Sequence, residues 1–190
     1  VDRRFGCEAV FGGESVIVPD SLVGQDYVRR TLELAETTPD GVFVEVGVYK
    51  GGMAYHLAKL ARSRNVALHL FDTFTGIPIA DPDDNHRVGD FGDTSAEQVR
   101  ALIPDAVFHV GVFPGTMPIQ FQPVAFVHCD CDQYESVRSV IQVFWPIMVP
   151  GGVMVFDDMD TRGGRKAIKE AFEGRGLAEL HGRTYVRKPL

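Results

Sequence analysis

Three aspartates at the ends of two apolar runs are the residues best placed to do chemistry. Asp130 closes the run Val124-Ala-Phe-Val-His-Cys-Asp130, and Asp157 and Asp158 close Val153-Met-Val-Phe-Asp-Asp158. If the two runs are adjacent strands, three carboxylates meet at one rim, repel one another and drive a pKa upward. A hard divalent cation relieves that repulsion, and an oxygen-only donor set favours Mg²⁺, Ca²⁺ or Mn²⁺. Separate roles as caps and salt-bridge partners are the plainer alternative. Asp132 is expected to serve as the N-cap of the helix that follows.

A second constellation precedes the acids. The run Val42-Phe-Val-Glu-Val46 is followed by Gly47, Gly51 and Gly52. Glycines there allow a tight turn and close approach of a ligand to the backbone, and the helix after them offers free N–H groups. The spacing is not the G-x-G-x-x-G dinucleotide fingerprint. Asp72 ends the next apolar run, where a carboxylate can accept from both hydroxyls of a ribose; a turn or cap residue is the alternative. Glu45 lies inside the strand and requires a donor. His69, His109 and His128 fall inside strands and read as satisfied core residues. His86, in an acidic loop, is the histidine placed to act as a mobile base. Cys129 and Cys131 lack the second ligand pair of a zinc site.

These residues need elements to hold them. Apolar runs of β-branched and aromatic residues alternate with helical spacing, so the chain is expected to be α/β with a mostly parallel sheet and helices on both faces. Strands are expected at Val42–Val46, Asn65–Asp72, Ala106–Val110, Val124–Asp130 and Val153–Asp158. Helices are expected from Asp20 or Ser21 to Ala35, Met53 to Arg62, Ala96 to Ile103, Tyr134 to Val149 and Arg165 to Phe172. Ser95 starts the third of these. Pro150-Gly-Gly152 reads as a turn, and residues 178–187 as an antiparallel hairpin turning at Gly182-Arg183. Residues 1–40 read as an irregular arm and a helix beside a core of residues 41–190, within one globular unit. Residues 80–93 form a long polar loop of the kind that covers binding sites. In such a sheet functional residues gather at the carboxyl ends of strands, which here are Glu45/Gly47, Asp72, Gly111, Asp130 and Asp157/Asp158.

Composition excludes several classes. With 190 residues and 45% hydrophobic content a real core is available. A net charge of -7 and the absence of a basic stripe argue against nucleic acid as partner. No apolar run reaches membrane-spanning length, and three cysteines are too few for a disulfide framework, so a cytoplasmic setting is expected.

Five segments in order resemble the macrocin O-methyltransferase family of class I enzymes: Glu45-Val-Gly-Val-Tyr-Lys-Gly-Gly52, Phe71-Asp-Thr-Phe-Thr-Gly-Ile-Pro78, Gly111-Val-Phe-Pro-Gly-Thr-Met-Pro118, Asp130-Cys-Asp-Gln-Tyr-Glu-Ser136 and Pro150-Gly-Gly-Val-Met-Val-Phe-Asp-Asp158. The resemblance implies a Rossmann-like seven-stranded sheet with an antiparallel last strand. It implies S-adenosylmethionine as cofactor, held by Glu45, Gly47, Tyr49 and Gly51 around the methionine end, by Asp72 and Thr73 at the ribose, and by Ser95, Gly111 and Phe113 near the adenine, with Asp130 bordering that site. It implies Mg²⁺ on Asp130, Asp157 and Asp158, with Asp130 and Asp158 catalytic, and a small hydroxylated acceptor such as a natural-product sugar or vicinal diol. The chain departs from the family at Met159, where an aromatic is usual, at Cys131, where glycine is usual, and in its short N-terminal region and central loop. Members are often oligomeric, and Phe5, Phe11 and Val16–Val18 are the expected partner surface. Two other readings keep the scaffold: a metal-independent methyltransferase, and a metal-dependent enzyme of hydroxylase type, for which no two-histidine facial triad is visible.

Overall fold

The computed structural model describes residues 7–11, 14–18, 22–80, 82, 84–118, 120–180 and 183–190. The strands are β1 (Cys7–Phe11), β2 (Glu14–Val18), β3 (Val42–Val46), β4 (Leu68–Asp72), β5 (Val107–Val110), β6 (Val124–Cys129), β7 (Met148–Phe156), β8 (Leu177–Leu180) and β9 (Arg183–Arg187). The helices are α1 (Gln25–Glu36), α2 (Gly52–Ser63), α3 (Ala96–Leu102), α4 (Tyr134–Ile147) and α5 (Arg162–Phe172). Seven strands form one sheet in the order β5-β4-β3-β6-β7-β9-β8. β5 through β7 run parallel, and β9 and β8 antiparallel. The expected α/β sheet with an antiparallel C-terminal hairpin is therefore what the chain forms.

The central strands carry apolar residues on both faces because helices cover both. Phe43, Phe126, Val153 and Val155 pack towards α1 and α2. Val44, Val46, Val127, Met154 and Phe156 pack towards α4 and α5. Among the described residues, no helix is long and apolar enough to cross a membrane.

Several expectations are corrected. The N-terminal arm, expected to be irregular with a short extended piece, holds two strands: β1 and β2 pair antiparallel in a sheet of their own. The side chains of Phe5, Phe11 and Val16–Val18 lie outside what the structure describes, as do Asp20, Ser21 and Gly182. α1 begins at Gln25 with Gly24 as N-cap and no side-chain cap. α4 stops at Ile147, and β7 starts at once with Met148. Pro150-Gly-Gly152, expected as a turn, lies inside β7, at the point where its register against β6 shifts between Val124 and Phe126. Pro146 lies inside the last turn of α4, where it cannot donate to the turn before it, and the helix ends one residue later.

Arg64 anchors α1 to the start of the sheet. Its guanidinium donates to the carbonyls of Ala35 (2.7 Å) and Thr38 (2.8 Å) and to the Thr38 hydroxyl (3.0 Å). A hydrogen bond to a charged group contributes about 1.5–3 kcal/mol, and because Arg64 is half-buried, water makes good part of the loss when all three are removed. Arg64→Met is therefore expected to lower unfolding free energy by about 2–3 kcal/mol in urea; a loss under about 0.5 kcal/mol would mean that the anchor is solvated and idle.

Candidate functional site

The parallel ladder runs one residue past the ends of the strands. Gly47 N donates to Phe71 O (3.0 Å), Asp130 N to Val46 O (2.9 Å), Asp157 N to Cys129 O (3.0 Å) and Gly111 N to Asp72 O (2.9 Å). These bonds set Gly47, Asp72, Gly111, Asp130 and Asp157 level along one rim. The rim lies at the carboxyl ends of the strands, where the order reverses between β3 and β6, the position at which open α/β sheets bind ligands. A cavity of about 520 Å³ opens there, within the range that holds a drug-sized ligand.

Gly47, Tyr49, Asp72, Thr73, Gly111, Phe113, Asp130 and Asp157 line this cavity. Four other residues singled out in the sequence do not. Glu45 lies below the rim inside the strand, where it is buried and its Oε1 meets His128 Nδ1 at 3.0 Å. Burial pushes its carboxyl upward and the His128 hydrogen bond opposes that. His128 in turn meets the Tyr27 hydroxyl at 2.9 Å, so the donor that Glu45 required is a core histidine tied to α1. Gly51 is the left-handed N-cap of α2, with φ 83°, packed beneath Val99. Ser95 caps α3, its hydroxyl accepting from Gln98 N at 3.2 Å.

Asp158 is the fourth. It is buried and absent from the cavity wall. Its carboxylate accepts from Asp132 N (2.9 Å) and Cys131 N (3.3 Å), and lies 3.7 Å from the Cys129 sulfur. The cause is strand alternation, which sends successive side chains to opposite faces. Asp130 and Asp157 leave their strands on the cavity side, and Asp158 leaves on the α4–α5 side, where it holds the 131–132 turn in place. The three carboxylates expected at one rim are thus divided two and one.

Asp72 does more than end a strand. Its Oδ2 accepts from Val48 N (2.6 Å) and Tyr49 N (2.8 Å), and its Oδ1 from Phe74 N (2.7 Å). One carboxylate oxygen is committed to shaping the glycine turn, while Oδ1 retains capacity for a ligand. Asp72→Ala is expected to weaken binding of S-adenosylhomocysteine by about tenfold or more in calorimetric titration; unchanged affinity would remove Asp72 from the binding surface.

Asp132, Gln133, Asp160 and Thr161 stand on the wall without having been singled out as site residues. Asp132 is not the N-cap of α4; Gln133 takes that position, and the Asp84 carboxylate accepts from Tyr134 N at 3.1 Å. Asp132 instead adopts a left-handed backbone, φ 63°, and faces His86 Nε2 at 3.5 Å. Burial pushes its carboxyl up to about 6, against the pull of His86. Gln133 is 3% exposed, and its amide nitrogen has no hydrogen-bond partner. Asp160 and Thr161 complete that side. The signal for Asp132 was present in Asp130-Cys-Asp132, since a strand end followed by a second acid two residues on can return to the same cavity when the turn goes left-handed.

The loop expected to cover the site does so. Tyr49 donates to Asp93 Oδ1 (2.7 Å) and Lys50 to Asp93 Oδ2 (2.6 Å), while Asn85 accepts from Arg162 N (2.9 Å). The loop therefore bridges the glycine turn to the start of α5, and it places His86 and Phe91 on the cavity wall.

Seven strands with an antiparallel tail, a glycine turn after the central strand and acids at the rim define the Rossmann-like methyltransferase class. Residues 44–159 match the family model described as a methyltransferase domain, and the chain belongs to that family; it is an S-adenosylmethionine-dependent methyltransferase. It is 27% identical over 204 residues to mycinamicin III 3''-O-methyltransferase of Micromonospora griseorubida, covering 94% of this chain and 80% of that protein. It is 29% identical over 161 residues to 8-demethyl-8-(2,3-dimethoxy-alpha-L-rhamnosyl)-tetracenomycin-C 4'-O-methyltransferase of Streptomyces olivaceus, covering 75% of this chain and 61% of that one. The solved structure of the O-methyltransferase NovP superimposes with a TM-score of 0.78 at 22% identity, covering 90% of this chain and 82% of that one. The resemblance to the macrocin O-methyltransferase family read from the sequence is borne out by the two sequence relatives, and the NovP structure shares the fold.

Proposed function

We propose that the chain transfers a methyl group from S-adenosylmethionine to a hydroxyl of a small natural-product sugar or vicinal diol, with a divalent cation such as Mg²⁺ at the Asp130–Asp157 edge. The observation that supports this most is the meeting, in one cavity, of the glycine turn with Asp72 on one side and the carboxylates of Asp130, Asp132 and Asp157 on the other. Bound S-adenosylmethionine supplies an electrophilic methyl, whose C–S bond breaks as the C–O bond forms, giving the ether and S-adenosylhomocysteine.

The donor set fits a hard cation in its charge. Burial and the neighbouring charges of Asp157, Asp158 and Asp132 hold the Asp130 carboxyl well above its usual range, the mark of uncompensated negative potential. Asp130 and Asp157 are the oxygens that would hold the ion. Among the described residues, the three ligand atoms that already lie within 4.8 Å of one another belong to Cys129, Cys131 and Asp158. Burial raises the pKa of the Cys129 thiol, and that of Cys131 stands at about 11, so this set is wrong for Mg²⁺. When bound at the carboxylates, the cation would lower the pKa of an acceptor hydroxyl and fix its direction.

The protein's own residues align the acceptor and take its proton. Alignment is worth up to about 7–11 kcal/mol of barrier. Asp132, poised near pH 6 and braced by His86, is suited to receive the hydroxyl proton. The base must be ionised, so turnover is expected to fall in acid as Asp132 takes up a proton, with a midpoint drawn below about 6 by a cation at Asp130 and Asp157. Asp132→Asn is expected to lower kcat by about 10²–10⁴ with little change in KM. Full turnover in that variant would assign the proton elsewhere.

The direct test is titration of S-adenosylhomocysteine into the protein, followed by methyl transfer to methyl α-L-rhamnopyranoside in Mg²⁺ and in EDTA. Cofactor binding with chelator-sensitive ether formation is expected. Ether formation that withstands EDTA would remove the cation, and methylation confined to nitrogen or carbon acceptors would remove the hydroxyl.

A further inference from the structure

Two thiols and a carboxylate meet beside the cavity, and methyl transfer as described above makes no use of them. Cys129 ends β6 and is buried, Cys131 follows in the turn to α4 and lines the cavity, and Asp158 comes in from the end of β7. The Cys129 and Cys131 sulfurs are 3.6 Å apart, and Asp158 Oδ2 is 3.7 Å from the Cys129 sulfur. One ligand atom from each of the three residues lies within 4.8 Å of the other two. The sequence offers these cysteines no second ligand pair, but the fold brings a third donor from 27 residues beyond Cys131. Cys131 stands where glycine is usual in the family that the sequence resembles, so the second sulfur is a feature of this chain.

These spacings are those of a tetrahedral metal site. Two thiolates about 2.3 Å from a zinc ion stand about 3.8 Å apart, and a thiolate and a carboxylate oxygen about 3.5 Å apart. Sulfur donors select Zn²⁺ over Mg²⁺, which demands octahedral oxygen. The donors are also held in direction. Asp157 N donates to Cys129 O at 3.0 Å, which fixes the end of β7 against the end of β6. Asp158 Oδ1 accepts from Asp132 N at 2.9 Å, so the carboxylate is oriented by a partner, as metal-ligating carboxylates are. Its Oδ2 takes a longer bond from Cys131 N, 3.3 Å, and faces the Cys129 thiol, whose proton leaves when a metal binds. Zn²⁺ entering as both thiol protons leave keeps the net charge of the cluster unchanged, so the acids of the rim do not oppose it.

We propose that Cys129, Cys131 and Asp158 form a second metal site, for a thiophilic divalent cation such as Zn²⁺, with a fourth position left to water. The site is separate from the Mg²⁺ edge at Asp130 and Asp157, and binding there does not depend on that reading. The ion enters from the cavity past Cys131, both thiol protons pass to solvent, and no electron is transferred. Once bound, it draws Asp158 Oδ2 away from Cys131 N and fixes the turn that carries Asp132. Methyl transfer is slowed in consequence; this effect, unlike the binding, rests on Asp132 as the base.

The test titrates reduced protein, freed of metal with EDTA and returned to chelator-free buffer with excess Mg²⁺, first with Co²⁺ and then with Zn²⁺. One equivalent of Co²⁺ is expected to give the visible bands of a tetrahedral ion and a thiolate charge-transfer band in the near ultraviolet. One equivalent of Zn²⁺ should bleach both, with a Kd of about 1 μM or tighter. Cys131→Ser should weaken Zn²⁺ about 100-fold and diminish the charge-transfer band. Cobalt bound without that band, as it would be at His86 and Asp132, or an unchanged Zn²⁺ affinity in Cys131→Ser, overturns the proposal. Proton release from the wild type keeps the test open if the variant does not fold: both thiol protons should appear for each Zn²⁺ bound, and a release near zero overturns the site. In the transfer assay Zn²⁺ should inhibit the wild type without relief by added Mg²⁺, and Cys131→Ser should need about 100-fold more, each against its own zinc-free rate. Inhibition that Mg²⁺ reverses would put Zn²⁺ at Asp130 and Asp157 and remove the inhibitory role. A protein that gives the cobalt bands but methylates no hydroxyl would overturn the function proposed above and leave this site standing.

Discussion

Asp130→Asn is expected to lose methyl transfer by about 10²–10⁴-fold and yet to melt above the wild type. The two effects share one cause. The Asp130 carboxyl is held well above its ordinary range by burial first and by Asp157, Asp158, Asp132 and Glu45 after that. A carboxyl whose folded pKa is raised favours the folded state while protonated. That contribution is present in acid and is lost as pH rises from the unfolded value through the folded one. At neutral pH the wild type therefore bears the cost of ionising Asp130 in the fold or of keeping it protonated there, and asparagine removes that cost. In EDTA at pH 7.5 the variant should melt about 3 °C or more higher, and the gap should close towards pH 4. In Mg²⁺ the order should reverse, because the cation stabilises only the protein that retains the carboxylate. Differential scanning calorimetry in the two buffers reads all of this. A variant that melts below the wild type in EDTA would show that Asp130 holds the rim together. A melting point indifferent to Mg²⁺ in both proteins would remove the cation from this edge.

Gly47→Ala is expected to be the most destructive small change in the chain. Gly47 has φ +87°, and a Cβ there would stand 1.6 Å from the Asp130 carbonyl oxygen and 2.5 Å from its carbon. No rotamer relieves a clash with backbone. Either the glycine turn or the end of β6 must move, and both border the cavity. A loss of about 4 kcal/mol or more in urea unfolding is expected, together with loss of cofactor binding. Gly176→Ala is the control: its φ is outside the left-handed region and nothing lies within 4 Å of the added carbon, so stability should change by about 0.5 kcal/mol or less. A Gly47→Ala protein that folds and binds S-adenosylhomocysteine as well as the wild type would show that the turn and the strand end are not locked together.

The sequence alone settled what depends on local pattern. Apolar runs bounded by turns placed β3, β4, β5 and β6, and their alternation with helical spacing required the parallel sheet. Once the sheet was parallel, the acids ending its strands had to share one edge, which is why Asp72, Asp130 and Asp157 were legible in advance. Boundaries were less so. Pro150-Gly-Gly152 carries turn residues, and only pairing with β6 and β9 draws it into β7.

Tertiary structure decided which way each side chain faces and what it meets. Asp157 and Asp158 are indistinguishable in sequence, but the pleat sends one to the cavity and the other beneath the 131–132 turn. Glu45 lies within a motif that reads as ligand-binding, but its face of β3 lies opposite His128 on β6, a residue 83 positions away, so it is spent in the core. Asp132 reads as a helix cap; Asp84, 50 residues before Tyr134, takes the capping bond and leaves Asp132 to the cavity. In each case the deciding partner lies on another strand or loop. Strand pairing and loop closure bring such partners together, and neither is encoded in the residues beside the one being judged.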